Sequence, residues 1–479
     1  PNSPTDHPED IRWQIFNGFS FAVGDVLLGT NPVDGRAETV GRIERELRDI
    51  IETFGLQDIL PWCVLAHIDT QANLLETSPG DVALMFQSLA GNDDANGTFG
   101  IDVAKMLAHN ARERGRWGFY YETGQGADFT NGAHHGTDMV VHEARKYGFV
   151  RALKRVLAQH SPQAWTLVND VAGFIGPEVF QCREQLVRCC LEDLVMGKLH
   201  GLCIGHDICA TLHMSVSLDD LAWCQDQVAP ANPAYLMALP TRNDPMLSYL
   251  TTSFQDHVAL RQRHGFRIDD AMAAFFHRIG VLDAEGRHTA HAGDPFWVYY
   301  QYRRAKGDRR AKDSILREGR ERARAVASRG VPLAIGHGAT VADMAPALAA
   351  EVEALYADAR TCLRADLTDG FLASLPATLV LDTQAPTREV YILRPPQGEA
   401  LTEAAAQKLR ALRDTRRQSP VDVQVLISDG LNAAAIMDTG HLAPLLMALP
   451  PLLAARGLRV APELVVLRQG RVRAGYAAG

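Results

Sequence analysis

No apolar run in the chain reaches ~18 residues, so the sequence offers no membrane-spanning helix. The eight cysteines show no paired C-x-x-C spacing. Cys189-Cys190 falls inside a helical pattern, and Cys203 and Cys209 flank a strand end without a further pair to complete a zinc site. Buried free thiols in a reducing cytoplasm are the plainer reading. No G-x-G-x-x-G leads from a strand into a helix, which removes the usual phosphate-cradling loop. Positive charge is not in excess: the net charge is −9 and the pI near 6.0, which argues against general nucleic-acid binding. Internal repeats, low-complexity segments, a secretion signal and an initiator methionine are also lacking. Polar Pro1 to Asp10 runs straight into an apolar pattern, and Arg468 to Gly479 shows no closing helix, so a fragment at both ends is expected.

What is present is globular. Hydrophobic residues make up 47% of the 479 and charged residues 22%, enough for more than one core. Apolar strand-like runs occur at Phe19 to Leu28, Cys63 to Ile68, Ala83 to Ser88, Phe119 to Glu122, Thr166 to Val171, Leu199 to Asp207 and Tyr235 to Leu239. Helical patterns separate them. Val40, Ile43, Leu47, Ile50 and Phe54 recur on one face and close at Gly55, and Ser217 stands as an N-cap before Asp219 and Asp220. Helices are also expected over Met246 to His264 and Asp269 to Ile279. Seven strands alternating with helices imply a parallel sheet, doubly wound or closed into a barrel. A closed barrel needs eight strands, so one would lie upstream of Pro1.

The stretch Gln301 to Arg329 is rich in arginine, but its interleaved acids favour a solvated connector helix over a nucleic-acid patch. Beyond it, short strands are expected at Leu379 to Leu381, Val390 to Leu393, Val423 to Ser428 and Leu464 to Leu467. These belong to a second α/β unit. The expected domains are 1–300, a connector over 301–372, and 373–479.

Polar side chains gather at the strand ends: Asn31, His67 with Asp69, Gln87, Glu122, and His206 with Asp207. An acid ending a buried strand must be paired, protonated or matched to a cation. Glu122 and Asp207 are two carboxylates from different strands aimed at one mouth. A primary ammonium, with three donors, suits such a pair. For any one strand-end acid, a loop cap or an arginine partner is the commoner explanation. His67, Asp69, His206 and Asp207 also leave open a divalent metal, as in a barrel hydrolase, although no His-x-His follows the first strand. Ser428-Asp429-Gly430-Leu431 sits at a possible binding edge, where a plain turn is the simpler reading.

Several motifs carry a resemblance. Gly18-Phe19-Ser20-Phe21-Ala22-Val23-Gly24-Asp25, Gly29-Thr30-Asn31-Pro32-Val33, Cys63-Val64-Leu65-Ala66-His67, Phe86-Gln87-Ser88, Tyr121-Glu122-Thr123-Gly124-Gln125-Gly126, Gly173-Phe174-Ile175-Gly176-Pro177-Glu178 and Met196-Gly197-Lys198-Leu199 occur in this order. Together they resemble the large, catalytic subunit of ethanolamine ammonia-lyase. Tyr391-Ile392-Leu393-Arg394-Pro395-Pro396, Val423 to Leu431 and Gly470-Arg471-Val472 resemble part of its small subunit.

The resemblance implies a TIM-type (β/α) barrel lacking its first strand, followed by a partial α/β, doubly wound domain. It implies adenosylcobalamin-dependent radical deamination of ethanolamine to acetaldehyde and ammonia, with no metal beyond the cofactor's cobalt. Glu122 and Asp207 would hold the amino group and Asn31 the hydroxyl. Pro32, Gln87, Phe99, Thr130 and Met246 would lie against the cofactor. A homo-oligomer or a small-subunit-like partner is implied, and a cytoplasmic setting with a bacterial microcompartment as one possible location. The cobalamin motif D-x-H-x-x-G is absent, as in the family. Three departures point to impaired activity. The family's Arg-x-Gln substrate ligands would fall just before Pro1, Thr98 stands where the best-known members carry a glutamate, and the later small-subunit strands are missing. The alternatives are a metal-dependent barrel hydrolase and an inactive relative of the lyase.

Overall fold

The computed structural model describes residues 1–112, 116–124, 134–173, 181–212, 214–246 and 249–478. They form two compact units, one within residues 1–352 and the other within 353–479. Among the described residues no helix is long and apolar enough to cross a membrane.

In the first unit, β1 (Leu28–Thr30) pairs in parallel with β2 (Trp62–Val64). A second parallel sheet has the order β3 (Met85–Ser88), β4 (Trp117–Gly124), β5 (Trp165–Val171), β6 (Ile204–Asp207). The backbone N–H of Leu84 donates to Trp62 O at 3.1 Å, linking the two sheets. Beyond β6, His206 forms a parallel bridge with Leu236. The segments thus follow one another in chain order, with helices between them, as an α/β arrangement requires. No ladder joins β1 to the 235–239 segment among the described residues, so the ring is open there. A cavity of about 350 Å³, lined by residues of both, occupies that place.

Several helices form where capping and period demand. The Ala37–Phe54 helix buries Val40, Ile43, Leu47, Ile50 and Phe54, and ends at Gly55 with φ 69°. Ser217 and Asp220 form a reciprocal capping box for Leu218–Val228.

Other expectations need correction. Phe19 ends a helix, Pro8–Ser20, and does not open a strand; only Leu28–Thr30 is extended. A continuous apolar run does not separate helix from strand. Here His7 accepts from Glu9 N and Pro8 fills the first turn. The helix then drives Trp13 against Tyr299 (5.2 Å) and Phe19 against Phe275 (5.2 Å). Leu199 closes the Arg183–Leu199 helix, so β6 starts later, at Ile204. The helix expected from Met246 begins at Phe254, where Ser253 and Asp256 supply the capping box. Segment 235–239 is reduced to two isolated bridges, Leu236 with His206 and Leu239 with Ser253.

Four of the nine arginines of 301–329 are taken up by ion pairs. Arg303 and Arg310 meet Asp308, Arg310 and Arg322 meet Glu318, and Arg329 meets buried Asp10.

In the second unit, β7 (Thr378–Asp382), β8 (Leu426–Ser428) and β9 (Leu464–Arg468) form a parallel sheet of order β7-β9-β8. Leu381, Val465 and Leu467 are buried in its core. Val390 to Leu393, expected as a strand, lies in a helix, Arg388–Leu393, because Thr387 caps it by accepting from Val390 N. A short helix, Ala474–Ala478, follows β9 where none was expected.

Close approach fixes one glycine in the sheet. A Cβ on Gly205 of β6 would stand 2.0 Å from the Tyr235 ring. Gly205→Ala is therefore expected to destabilise the chain by about 1–3 kcal/mol or more, as overpacked cores do. Urea unfolding followed by circular dichroism measures this.

Candidate active site at the strand ends

Parallel register brings the polar strand ends together. Glu122 of β4 stands opposite Asn169 of β5 and Ser88 of β3, and Val171 of β5 opposite Asp207 of β6. Tyr120, two residues before Glu122, shares its face. Its hydroxyl donates to Glu122 Oε2 at 2.9 Å, and Asn169 Nδ2 donates to the same oxygen at 3.2 Å. The Tyr235 hydroxyl in turn donates to the Tyr120 hydroxyl at 3.1 Å.

Asp207 is fully buried. Its Oδ1 accepts from the Thr251 hydroxyl, and its Oδ2 has no hydrogen-bond partner among the described residues. Burial pushes Glu122 up to about 7 against the pull of Tyr120 and Asn169. It pushes Asp207 up to about 7 as well; Thr251 and Tyr249 oppose the rise, and the charge of Glu122 adds to it. Burial thus disfavours the charged form of both carboxyls, and the charge of Glu122 further disfavours that of Asp207.

Asn31 follows β1, and its backbone N–H donates to Asn2 Oδ1 at 2.7 Å. It lines the 350 Å³ cavity together with Tyr120, Tyr235, Asp244 and Tyr249. Asn31 thus meets one space with the tyrosine that holds Glu122 and the one that restrains Asp207.

The remaining expected residues spread over the same end of the unit. Pro32 is partly exposed and Phe99 is 51% exposed. Gln87 is buried, with Nε2 donating to Ser88 O at 2.7 Å and Oε1 unpartnered. The backbone N–H of Met246 donates to Asp244 Oδ1 at 2.8 Å. Thr130 lies outside the described residues. The Thr98 hydroxyl donates to Ala95 O at 2.7 Å.

The histidines considered as metal ligands do not converge. His67 caps the Ile68–Thr77 helix through Nδ1 and meets Phe99 O through Nε2 at 2.8 Å, while Asp69 pairs with Lys105. His206, next to Asp207 in β6, belongs to the opposite strand face. There it joins buried Asp170 and Asp193, with candidate ligand atoms all within 4.8 Å of one another. Burial opposes the imidazolium, yet Cys190, Asp170 and Asp193 outweigh it and push His206 up to about 10. The Tyr147 hydroxyl donates to Asp170 Oδ2 at 2.6 Å. His206 thus stands in a buried acidic cluster between β5, β6 and the Arg183–Leu199 helix.

Sequence reading missed Tyr120, Asn169, Tyr235 and Thr251 as members of the site. The two-residue step from Tyr120 to Glu122 was a usable signal. The others depend on register and on chain segments distant in sequence.

The family model for the ethanolamine ammonia-lyase large subunit matches residues 1–291. The chain belongs to the ethanolamine ammonia-lyase family. The model for that enzyme's light chain matches residues 322–479, so large- and small-subunit sequence is joined in one polypeptide.

The chain is 35% identical over 302 residues to the ethanolamine ammonia-lyase large subunits of Escherichia coli K12 and Salmonella typhimurium LT2, covering 62% of this chain and 63% of the E. coli and Salmonella proteins. It is 33% identical over 108 residues to the small subunit of Pseudomonas aeruginosa PAO1, covering 22% of this chain and 38% of that relative. The chain thus spans less than two thirds of the length of each of these relatives.

An acid held above its ordinary value disfavours folding where it must ionise. The contribution of Asp207 to stability is present below about pH 4 and is lost as pH rises through about 7. Asp207→Asn, which keeps an acceptor for Thr251, is expected to stabilise the ligand-free chain at pH 8 by about 1–3 kcal/mol. The gain should shrink towards pH 5. Thermal unfolding at the two pH values checks the sign.

Proposed function

We propose that the first unit binds 2-aminoethanol and that the chain catalyses its adenosylcobalamin-dependent deamination to acetaldehyde and ammonia. The observation that carries this reading is the pair of carboxyls on one face of the sheet, half-buried Glu122 and fully buried Asp207, beside a cavity lined by Asn31. Two acids in one dry site cannot both ionise cheaply on their own. A primary ammonium between them supplies the missing positive charge and three donors. Glu122 and Asp207 then hold the amine, Asn31 takes the hydroxyl, and Tyr120, Asn169 and Thr251 keep the carboxylates aimed. The seven chain-ordered segments support a TIM-type barrel open between 235–239 and β1. Residues 1–300 are the proposed catalytic domain, 301–372 the connector and 373–479 the small-subunit-like domain.

The strand-end residues fit a large cofactor. Val33 (55% exposed) and Phe99 present apolar surface there, and the unpartnered Gln87 amide oxygen is an acceptor without a donor. Pro32, Gln87, Phe99, Thr130 and Met246 would hold it. Adenosylcobalamin supplies an organic radical by homolysis of its cobalt–carbon bond; the protein binds, orients and shields. With its hydroxyl engaged to Ala95 O, Thr98 supplies no charge to the cofactor. The eight thiols are all free, in keeping with a reducing cytoplasm.

Each charge-assisted contact is worth ~1.5–3 kcal/mol, so Glu122→Gln and Asp207→Asn should each weaken 2-aminoethanol binding about 10- to 100-fold. Isothermal titration calorimetry measures this; wild-type affinity in both variants sinks the reading. Anaerobic electron paramagnetic resonance with adenosylcobalamin and 2-aminoethanol tests the chemistry. A cobalt(II)–organic radical signal is expected from the wild-type chain.

A further inference from the structure

Glu122 is held by a chain of two hydroxyls that no cation among the described residues interrupts. Tyr235 OH donates to Tyr120 OH at 3.1 Å, and Tyr120 OH donates to Glu122 Oε2 at 2.9 Å. The two tyrosines come from distant parts of the sequence. Tyr120 sits on β4, and Tyr235 lies in the segment beyond β6, over Gly205, where a Cβ would collide with its ring. Both line the 350 Å³ cavity. The glycine in β6 thus leaves the room that lets Tyr235 lie across the sheet and meet Tyr120.

We propose that Tyr120 and Tyr235 are positioning residues for the amine site: Tyr235 orients the Tyr120 proton, and Tyr120 keeps Glu122 ionised and aimed for a cationic amine. The inference deepens the amine-binding reading and rests on it for the identity of the ligand.

The direction of the chain follows from its chemistry. Burial holds the Tyr235 and Tyr120 hydroxyls well above their ordinary values, so both keep their protons and act as donors. A tyrosine with one proton can donate to only one partner. By accepting from Tyr235, the Tyr120 oxygen is satisfied as an acceptor, and its own proton is left for Glu122. The groups facing Glu122 are few among the described residues. Tyr120 lies on its own strand, Asn169 comes from β5, Asp207 acts by charge from β6, and Tyr235 acts through Tyr120. Tyr120 and Asn169 favour the carboxylate, whereas burial opposes it. Removing the Tyr120 hydroxyl leaves burial opposed by Asn169 alone, so the acid must become harder to ionise. Near neutral pH a small change of this kind decides whether the site carries the charge that an ammonium needs.

The test is a pH titration of the full chain by difference infrared spectroscopy, read at the carboxylic C=O stretch. Glu143, Asp170 and Asp207 are also raised and contribute to that region. The Glu122 band is therefore assigned as the one lost in Glu122→Gln. Tyr120→Phe should move its midpoint up by about one pH unit. Tyr235→Phe, which removes only the outer hydroxyl, should move it in the same direction by less. An unchanged midpoint in Tyr120→Phe overturns the proposal, as does a downward or larger shift in Tyr235→Phe. If Tyr120→Phe fails to fold, the sign of the Tyr235→Phe shift decides alone. Calorimetric titration with 2-aminoethanol is run in parallel. Shifted midpoints without amine binding uphold the hydroxyl chain and sink the substrate reading. Amine binding with unmoved midpoints does the reverse.

Discussion

Two carboxyls near the ends of parallel strands, Glu122 two residues inside β4 and Asp207 closing β6, set the terms for the first unit. Glu122 and Asp207 are supplied with hydroxyls and an amide, yet the described residues place no ion pair on either. Ordinary structural acids in this chain are treated differently. Asp308 is gripped by Arg303 and Arg310, and Asp256 by Arg242. Those acids are held below the ordinary carboxylate range, whereas Glu122 and Asp207 stand near neutrality. Burial raises other acids too, Glu143 beside Lys146 among them, so what marks Glu122 and Asp207 is the raised value together with the lack of an ion pair among the described residues.

Behind the strand ends the sheet is braced by a second polar layer. Asp170 of β5 and His206 of β6 stand in register and meet Asp193 of the Arg183–Leu199 helix. Lys146 reaches the carbonyl of Gly124, at the end of β4, with Nζ at 2.8 Å. Alternation along each strand places these groups opposite the face of Glu122 and Asp207.

Much of this was legible in advance. Alternation of apolar runs with helical periods foretold parallel strands, and the strand-end acids Glu122 and Asp207 were visible as polar residues closing apolar runs. Caps such as Ser217 and Gly55 were readable because their chemistry is local. The failures share one cause. Phe19 to Leu28 is mostly apolar and Val390 to Leu393 wholly so, and such runs carry no clear period. What decided them was a cap at His7 or Thr387 and aromatic partners far away in sequence. His67 and His206 looked alike as strand-end histidines. One is a helix cap at the rim, and the other is buried beside Asp170 and Asp193 on the far face.

The sequence by itself determined the family, the joining of large- and small-subunit segments, the order of strands and helices, and which acids terminate strands. These follow from motifs and from periods of two and 3.6 residues, which are local properties. Only the tertiary structure decided which side chains meet. Register set Asn169 against Glu122, the absence of a Cβ at Gly205 admitted Tyr235 to Tyr120, and burial raised both carboxyls towards neutrality. Register, close approach and desolvation are relations between distant segments. No single stretch of chain encodes them, and they govern the charge that the site presents.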